Sequence, residues 1–151
     1  VGFVECHGTG TALGDPIEVG ALRAVLGSAS TQAPELLLGA GKSNMGHLEA
    51  AAGFAGLMKT FCCLQQCGVP PNVHYASLNP NIDLGGCRLT VPVSARALPQ
   101  TGAVAGVSSF GFGGTNAHAL LHQAAASQPS RPPDSRVAFL FSGQGTQYIG
   151  M

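Results

Sequence analysis

The run from Gly39 to Lys59, GAGKSNMGHLEAAAGFAGLMK, limits the possible folds more than any other part of the chain. It follows an apolar run, Leu36 to Leu38, which with Gly41 after it reads as a buried strand from Leu36 to Lys42. From Leu48 onward Ala and Gly dominate and no proline intervenes, which predicts a helix from about His47 to Gln66, packed closely against other backbone. A polar turn carrying Lys42, Ser43, Asn44 and His47 joins the two. Lys42 and His47 are thereby expected at a strand end and a helix start, where backbone N–H groups and the helix dipole favour developing negative charge. A surface lysine and a helix-capping histidine would produce the same pattern.

The rest of the chain supplies elements of similar kind. Val1 to Glu5 reads as a strand, and Cys6-His7-Gly8-Thr9-Gly10-Thr11 as a tight loop whose hydroxyls and amides can fix His7. Asp15-Pro16-Ile17-Glu18 predicts a helix start, with Asp15 as N-cap, Pro16 at the first position and Glu18 as the capping-box acid. Ile17, Ala21 and Val25, with Leu22 and Leu26, form its expected apolar stripe, and Gly27 ends it. After Gly68-Val69-Pro70-Pro71 the chain reads as irregular to Gln100, apart from a short strand at Arg88 to Val91. Val104 to Phe110 and Ala117 to Leu121 predict a strand pair joined through Gly111-Phe112-Gly113-Gly114. Residues 124–136 form a Pro/Ser-rich linker, and Val137 to Phe141 begins a fresh strand.

Charge is scarce. Asp, Glu, Lys and Arg make up 9% of the 151 residues, and seven positive charges cancel seven negative ones. Ordinary soluble domains carry roughly a quarter. A basic nucleic-acid face is therefore not indicated, and much of the surface is expected to be covered by further chain or a partner subunit. The opening on mid-strand residues, without an initiator methionine, suggests a piece of a longer polypeptide. The longest apolar stretch, Ala50 to Met58, is well short of the roughly 20 residues a membrane span needs. Five cysteines without a paired C-x-x-C fit a reducing cytoplasm best.

Two imidazoles at strand ends, His7 and His47, can face one pocket, where N–H groups could stabilise an oxyanion or one ring could take a proton. Gly39-Ala40-Gly41-Lys42-Ser43 ends like a phosphate-binding loop, but that pattern needs glycine where Leu36 stands. Cys62, Cys63 and Cys67 fall on one helix without zinc spacing, so no metal is expected. His74 and His122 stand in no motif.

These residues resemble a family. Val4-Glu5-Cys6-His7-Gly8-Thr9-Gly10-Thr11 with Gly14-Asp15-Pro16-Ile17-Glu18 is similar to the first histidine motif of β-ketoacyl synthases from modular polyketide synthases. Lys42-Ser43-Asn44-Met45-Gly46-His47 with Glu49-Ala50-Ala51-Ala52-Gly53 resembles the second. Gly106 to His118, GVSSFGFGGTNAH, resembles the glycine-rich loop near the end of the same domain. The animal-type fatty acid synthase shares these motifs. Val137 to Gln147 looks like the opening strand of the acyltransferase domain that follows in such synthases.

The resemblance implies an α/β, thiolase-like fold in layers α-β-α-β-α, of which residues 1–123 are the C-terminal half. Residues 124–136 would be linker and 137–151 the start of the acyltransferase domain. It implies a decarboxylative Claisen condensation, with His7 and His47 donating to the malonyl thioester carbonyl and Lys42 organising the second histidine. Phe112, between Gly111 and Gly113, would gate the site and complete the oxyanion hole, while Thr9, Thr11 and Asn44 would contact substrate. No cofactor is implied beyond the phosphopantetheine of an acyl carrier protein. The implied partners are that carrier, the N-terminal ketosynthase half and a second copy in a homodimer. The family's nucleophilic cysteine sits in a Thr-Ala-Cys-Ser-Ser setting that none of the five cysteines here shares, so the chain alone is expected to be inactive. A non-catalytic ketosynthase-like partner is the competing class, and the joint presence of His7, His47 and Lys42 argues against it.

Overall fold

A computed structural model describes residues 1–28 and 34–124. The expected acyltransferase start at 137–151 and residues 125–136 of the expected linker lie outside the described residues. Three strands rich in apolar side chains lie at the centre: β1 (Phe3–Glu5), β2 (Leu36–Gly39) and β6 (Val104–Phe110). With β4 (Leu89–Thr90) at one edge and β7 (Asn116–His122) at the other, they form one five-stranded sheet in the order β4-β2-β1-β6-β7. The first four strands run parallel, and β7 returns antiparallel to β6. Between β2 and β4, β3 (Gly68–Val69) pairs antiparallel with β5 (Arg96–Ala97) as a separate two-stranded ribbon, in a region the sequence marks as irregular.

Strand residues alternate between two cores. Phe3, Leu37 and Ala105 point to one face, where Cys63 and Leu64 of helix α3 (Ala52–Gln65) meet them. Val4, Leu36 and Leu38 point to the other, where Val19 of helix α1 (Gly14–Leu26) meets them. The described residues thus make an α-β-α sandwich. Gly53 and Gly56 let α3 lie close on β6, since a Cβ at Gly53 would come within 2.8 Å of Ser109 Oγ and one at Gly56 within 3.2 Å of Val107.

Several sequence expectations are corrected. The strand read from Leu36 to Lys42 ends at Gly39, Lys42 opens a short helix α2 (Lys42–Met45), and the helix expected from His47 begins only with a 3₁₀ turn at Glu49–Ala51 that leads into α3. Gly46, at φ 77°, ends α2 and releases the chain, so His47 lies between helical segments rather than at a helix start. Helix α1 begins one residue before Asp15, and its N-cap position is Leu13, which makes no side-chain capping bond. Its buried side is Glu18 and Val19 with half-buried Leu22 and Leu26, whereas Ile17 and Val25 are exposed. The stripe read through Ile17 and Val25 is therefore on the wrong side of the helix.

Two polar side chains fix the connections. Asn72 accepts the Ala40 N–H at 2.8 Å and donates to Leu38 O at 2.9 Å, tying the Pro-Pro segment to the end of β2. Arg88 donates to Leu26 O and Pro34 O, each at 2.7 Å, which anchors β4 beside α1.

Candidate active site

The site lies where the C-terminal ends of β1, β2 and β6 meet, beyond the sheet edge where parallel strands deliver their loops. His7 follows β1, and its half-buried ring stands edge-on to the exposed His47 ring, with centroids 5.6 Å apart at 82°. Two sequence-distant histidines are therefore neighbours. Phe110, the last residue of β6, closes the other side of His7 at 5.3 Å between centroids.

The hydrogen bonds fix the tautomer of both rings. The Phe110 N–H donates to His7 Nδ1 at 3.3 Å, and the Glu49 N–H donates to His47 Nδ1 at 2.9 Å. A neutral imidazole that accepts at Nδ1 carries its hydrogen on Nε2. Each ring therefore presents one Nε2–H donor. Lys42 Nζ lies 3.4 Å from His7 Nδ1 and donates to His7 O. Burial lowers the pKa of His7, and the nearby Lys42 and His47 lower it further. Burial also lowers Lys42, while Glu5 and Glu18 work in the opposite direction. Lys42 thus contacts His7 rather than the second histidine that the family resemblance assigns to it.

Two acids hold the loops in place, neither of them assigned a site role by sequence reasoning. Glu18 accepts the His7 N–H at 2.7 Å and the Gly8 N–H at 3.0 Å, so it is not the capping-box acid. Glu5, at the end of β1, accepts the Gly41 N–H at 2.5 Å and pairs with Lys59 Nζ at 2.6 Å. Asp15 accepts the Gly10 N–H at 3.1 Å instead of capping α1. Phe110 was likewise missed. The one available signal was alternation along β6, which turns Phe110 to the same face as Gly106 and Ser108, above the end of β1.

The remaining expected residues sit further out. Thr11 Oγ1 accepts the Gly14 N–H at 3.1 Å and lies 3.4 Å from Thr9 Oγ1, both exposed on the His7 loop. Asn44 is exposed on α2 and accepts from the Ser43 hydroxyl at 3.4 Å. Phe112 stands fully exposed at the tip of the β6–β7 hairpin between Gly111 and Gly113, and Gly111 N–H closes that turn onto Thr115 O at 2.7 Å. The structure thus brings together His7, His47, Lys42 and Phe110, and leaves Phe112 fully exposed. A cavity of about 620 Å³ opens on the far side of Lys42, lined among others by Thr9, Ser43, Asn72 and Tyr75, but neither imidazole lines it. Among the described residues no cluster of His, Cys, Asp or Glu is arranged to hold a metal ion.

Compared with known proteins, residues 1–76 match the family described as "Beta-ketoacyl synthase, C-terminal domain". The chain belongs to the β-ketoacyl synthases. Residues 79–149 match the ketoacyl-synthetase C-terminal extension of the same family. One polypeptide of the phenolphthiocerol/phthiocerol polyketide synthase of Mycobacterium tuberculosis is 48% identical over 132 residues, 86% of this chain and 7% of that protein. A second polypeptide of that synthase is 49% identical over 128 residues, 83% of this chain and 9% of its own length. Among solved structures, ketosynthase twelve of the bacillaene polyketide synthase of Bacillus amyloliquefaciens is similar at a TM-score of 0.75 and 42% identity, over 85% of this chain and 23% of that one. The module 6 ketosynthase of the Bacillus subtilis bacillaene synthase gives 0.77 and 34% over the same shares. This β-ketoacyl synthase segment therefore has the ketosynthase, thiolase-like α/β fold, and it spans less than a tenth of the curated relatives and about a quarter of the solved chains.

Proposed function

We propose that this chain is the C-terminal part of a polyketide synthase ketosynthase that joins an acyl thioester to malonyl-acyl carrier protein by decarboxylative Claisen condensation. The observation that carries the reading is the pair of imidazoles 5.6 Å apart, each with Nδ1 already accepting a backbone N–H and Nε2–H left to donate. In the reaction, a cysteine thiolate elsewhere in the domain takes the acyl group from the carrier's phosphopantetheine thiol. Malonyl thioester then loses carbon dioxide, and the electron pair of the broken C–C bond moves onto its carbonyl oxygen as an enolate. Nε2–H of His7 and His47 stabilise that oxygen, and Lys42 fixes the His7 peptide. The enolate carbon attacks the acyl thioester, expelling the cysteine thiolate, and the hairpin of Gly111, Phe112 and Gly113 closes over the acyl carbonyl. Thr9, Thr11 and Asn44 line the approach of the pantetheine arm.

Two of the five cysteines, Cys6 and Cys63, are buried and poorly suited to act as the nucleophile. Burial pushes Cys6 well above the ordinary thiol range and Cys63 up to about 11, so neither buried thiol gives a thiolate. The acyl carrier protein, the N-terminal ketosynthase half and a second copy in a homodimer complete the assembly, in the cytoplasm. Residues 1–123 belong to the ketosynthase, 124–136 to a linker and 137–151 to an acyltransferase domain, although the family's C-terminal extension matches through residue 149.

The test uses the complete ketosynthase carrying this segment. Loss of one preorganised oxyanion donor typically costs about 10²–10³ in rate. His7→Ala and His47→Ala are each expected to slow carbon dioxide release from malonyl-carrier by that order, with smaller effects on labelled acyl transfer to the cysteine. Equal losses in both half-reactions, with a lowered melting temperature, would reduce the histidines to a structural role.

A further inference from the structure

Strand β2 runs further than its neighbour β4 can follow. Leu36 pairs with Leu89 and Leu37 with Thr90, and the Leu36 N–H donates to Arg88 O at 2.8 Å. In a parallel ladder the bonds repeat every second residue, so Leu38 O would next take the N–H of residue 92. That residue is Pro92, fully buried and with no N–H to give. The ladder stops there, just before the turn that carries Lys42.

Asn72 fills the gap. Its Nδ2 donates to Leu38 O at 2.9 Å and its Oδ1 accepts the Ala40 N–H at 2.8 Å, while its own backbone N–H donates to Pro92 O at 2.9 Å. Nδ2 also lies 3.4 Å from Pro92 O. A primary amide carries a donor and an acceptor on one short stem, the same pair that a peptide group offers a strand; aspartate would keep only the acceptors, and leucine neither. One side chain thus stands in for the missing stretch of β4 and holds the end of β2 in line.

What it holds is the approach to Lys42. Ala40 is fixed at its N–H by Asn72, and its carbonyl oxygen accepts the Ser43 N–H at 3.2 Å and the Ser43 hydroxyl at 2.8 Å, which ties down the first turn of α2. Lys42 opens that helix, donates to His7 O and faces His7 Nδ1 at 3.4 Å. Ala40 also packs against the loop of His7, since a Cβ at Gly8 would lie 2.9 Å from its side chain. Without the Asn72 amide, the Ala40 N–H and Leu38 O would need new partners. The turn would have to shift to find them, carrying the Lys42 ammonium off His7.

We propose that Asn72 is a positioning residue for the condensation: acting through the backbone of Leu38 and Ala40, it replaces the strand pairing that Pro92 ends and thereby sets where Lys42 meets His7. The proposal rests on the reading of Lys42 as the group that fixes the His7 peptide. A displaced Lys42 is visible in the titration of His7. The charged and titratable groups around that ring are Lys42, His47 and Asp15, with Glu18 on the backbone N–H of the same residue. Burial lowers the His7 pKa most, Lys42 and His47 lower it further, and Asp15 opposes them, so moving the ammonium away raises it.

The test is made in the complete ketosynthase with Asn72→Leu, which removes donor and acceptor without adding charge. A misplacement of about 1 Å at a reacting centre costs on the order of 10² in rate. Carbon dioxide release from malonyl-carrier is expected to slow by up to that order, with acyl transfer to the cysteine less affected. Its acid limb is expected to move upward in pH, in the same direction as in Lys42→Met. In a Lys42→Met background Asn72→Leu is expected to move the limb no further, because the charge it places is gone. A limb that stays at the parent pH, whatever the melting temperature, would overturn the proposal and leave Asn72 a structural residue. A further shift in the Lys42→Met background, or equal loss of both half-reactions, would overturn it too. Should Asn72→Leu fail to fold, Asn72→Ser, whose shorter hydroxyl gives up at least one of the two bonds, is read by the same criteria. If Lys42→Met alone changes neither rate nor limb, the reading of Lys42 fails and the proposal falls with it, a separate result from a limb that answers to Lys42 but not to Asn72.

Discussion

Glu5 and Glu18 approach the loops of this site from opposite faces of the sheet, and the ways they are satisfied differ. Glu5 reaches toward α3, where Lys59 neutralises it at 2.6 Å and the Gly41 N–H takes its other oxygen. Glu18 reaches from α1 and relies on two backbone N–H groups. The glycines follow the same division. A Cβ at Gly39 would come within 2.7 Å of Glu5 Oε2 and one at Gly41 within 2.9 Å of Oε1, while no described glycine crowds Glu18. The Glu5 region is thus a packed, charge-paired strut beneath the turn that leads into Lys42. The Glu18 region is a lighter clasp on the loop that carries His7. The contrast teaches that two buried acids at one sheet edge can be satisfied in different ways, one by a lysine across a helix and one by the backbone of a loop.

Three measurements on the complete ketosynthase can break or sharpen that contrast. The largest effect is expected for Glu5→Leu, which strands Lys59 without its partner under α3. Removing one member of a buried pair typically costs about 3–5 kcal/mol. Denaturant unfolding should show that loss, and Lys59→Met in the same chain should restore part of it. If Glu5→Leu alone is silent, the strut is not a strut. Next comes Gly39→Ala, whose Cβ would lie 2.7 Å from both Glu5 Oε2 and the Phe3 ring. Overpacking of this kind costs about 1–3 kcal/mol. Gly20→Ala, which meets nothing within 4 Å on α1, serves as the control and should be neutral or stabilising by up to about 1 kcal/mol. Equal melting shifts for the two would count against close packing around Glu5.

The smallest effect concerns pH. Burial and Lys42 hold His7 below the ordinary histidine value of 6.5. A lowered folded-state pKa means that the neutral ring, and the stability tied to it, is complete above 6.5 and is lost as pH falls through the folded value. The acid limb of decarboxylation should therefore lie below 6.5 in the parent enzyme. Lys42→Met removes a nearby cation and should move that limb upward, read from carbon dioxide release against pH. A limb that stays in place would leave burial as its cause.

Much of this site was legible in the sequence because its parts are local. Strand ends at Glu5 and Phe110 and the motifs around His7 and Lys42 are written in consecutive residues, and the structure assembles them at one sheet edge, with β2 stopping at Gly39 rather than at Lys42. What escaped depends on residues far apart in the chain. Asp15 and Glu18 have the spacing of a helix cap, and only the return of the His7 loop over α1 redirects them to Gly10, His7 and Gly8. Ile17 and Val25 share a helical face with Ala21, but which face meets the sheet is decided by where β1 and β2 lie. Phe54, Met58 and Phe61 form an exposed apolar row on α3, turned away from Cys63 and Leu64. Phe110 and Phe112 differ by two positions, and the turn at Gly111 sends one under His7 and the other into solvent.

The hydrogen bond from the Phe110 N–H to His7 Nδ1 also bears on waste. An enolate can be lost to any acid within reach before it forms a carbon–carbon bond. To become such an acid, the His7 ring would have to accept a second proton at Nδ1, the atom already occupied by that N–H and facing the Lys42 ammonium at 3.4 Å. In the proposed reaction the ring can steady the carbanion while having no spare proton to quench it. For His7, the proposed chain-extending step thereby avoids one route to its simplest side product, an acetyl thioester that would carry no new bond.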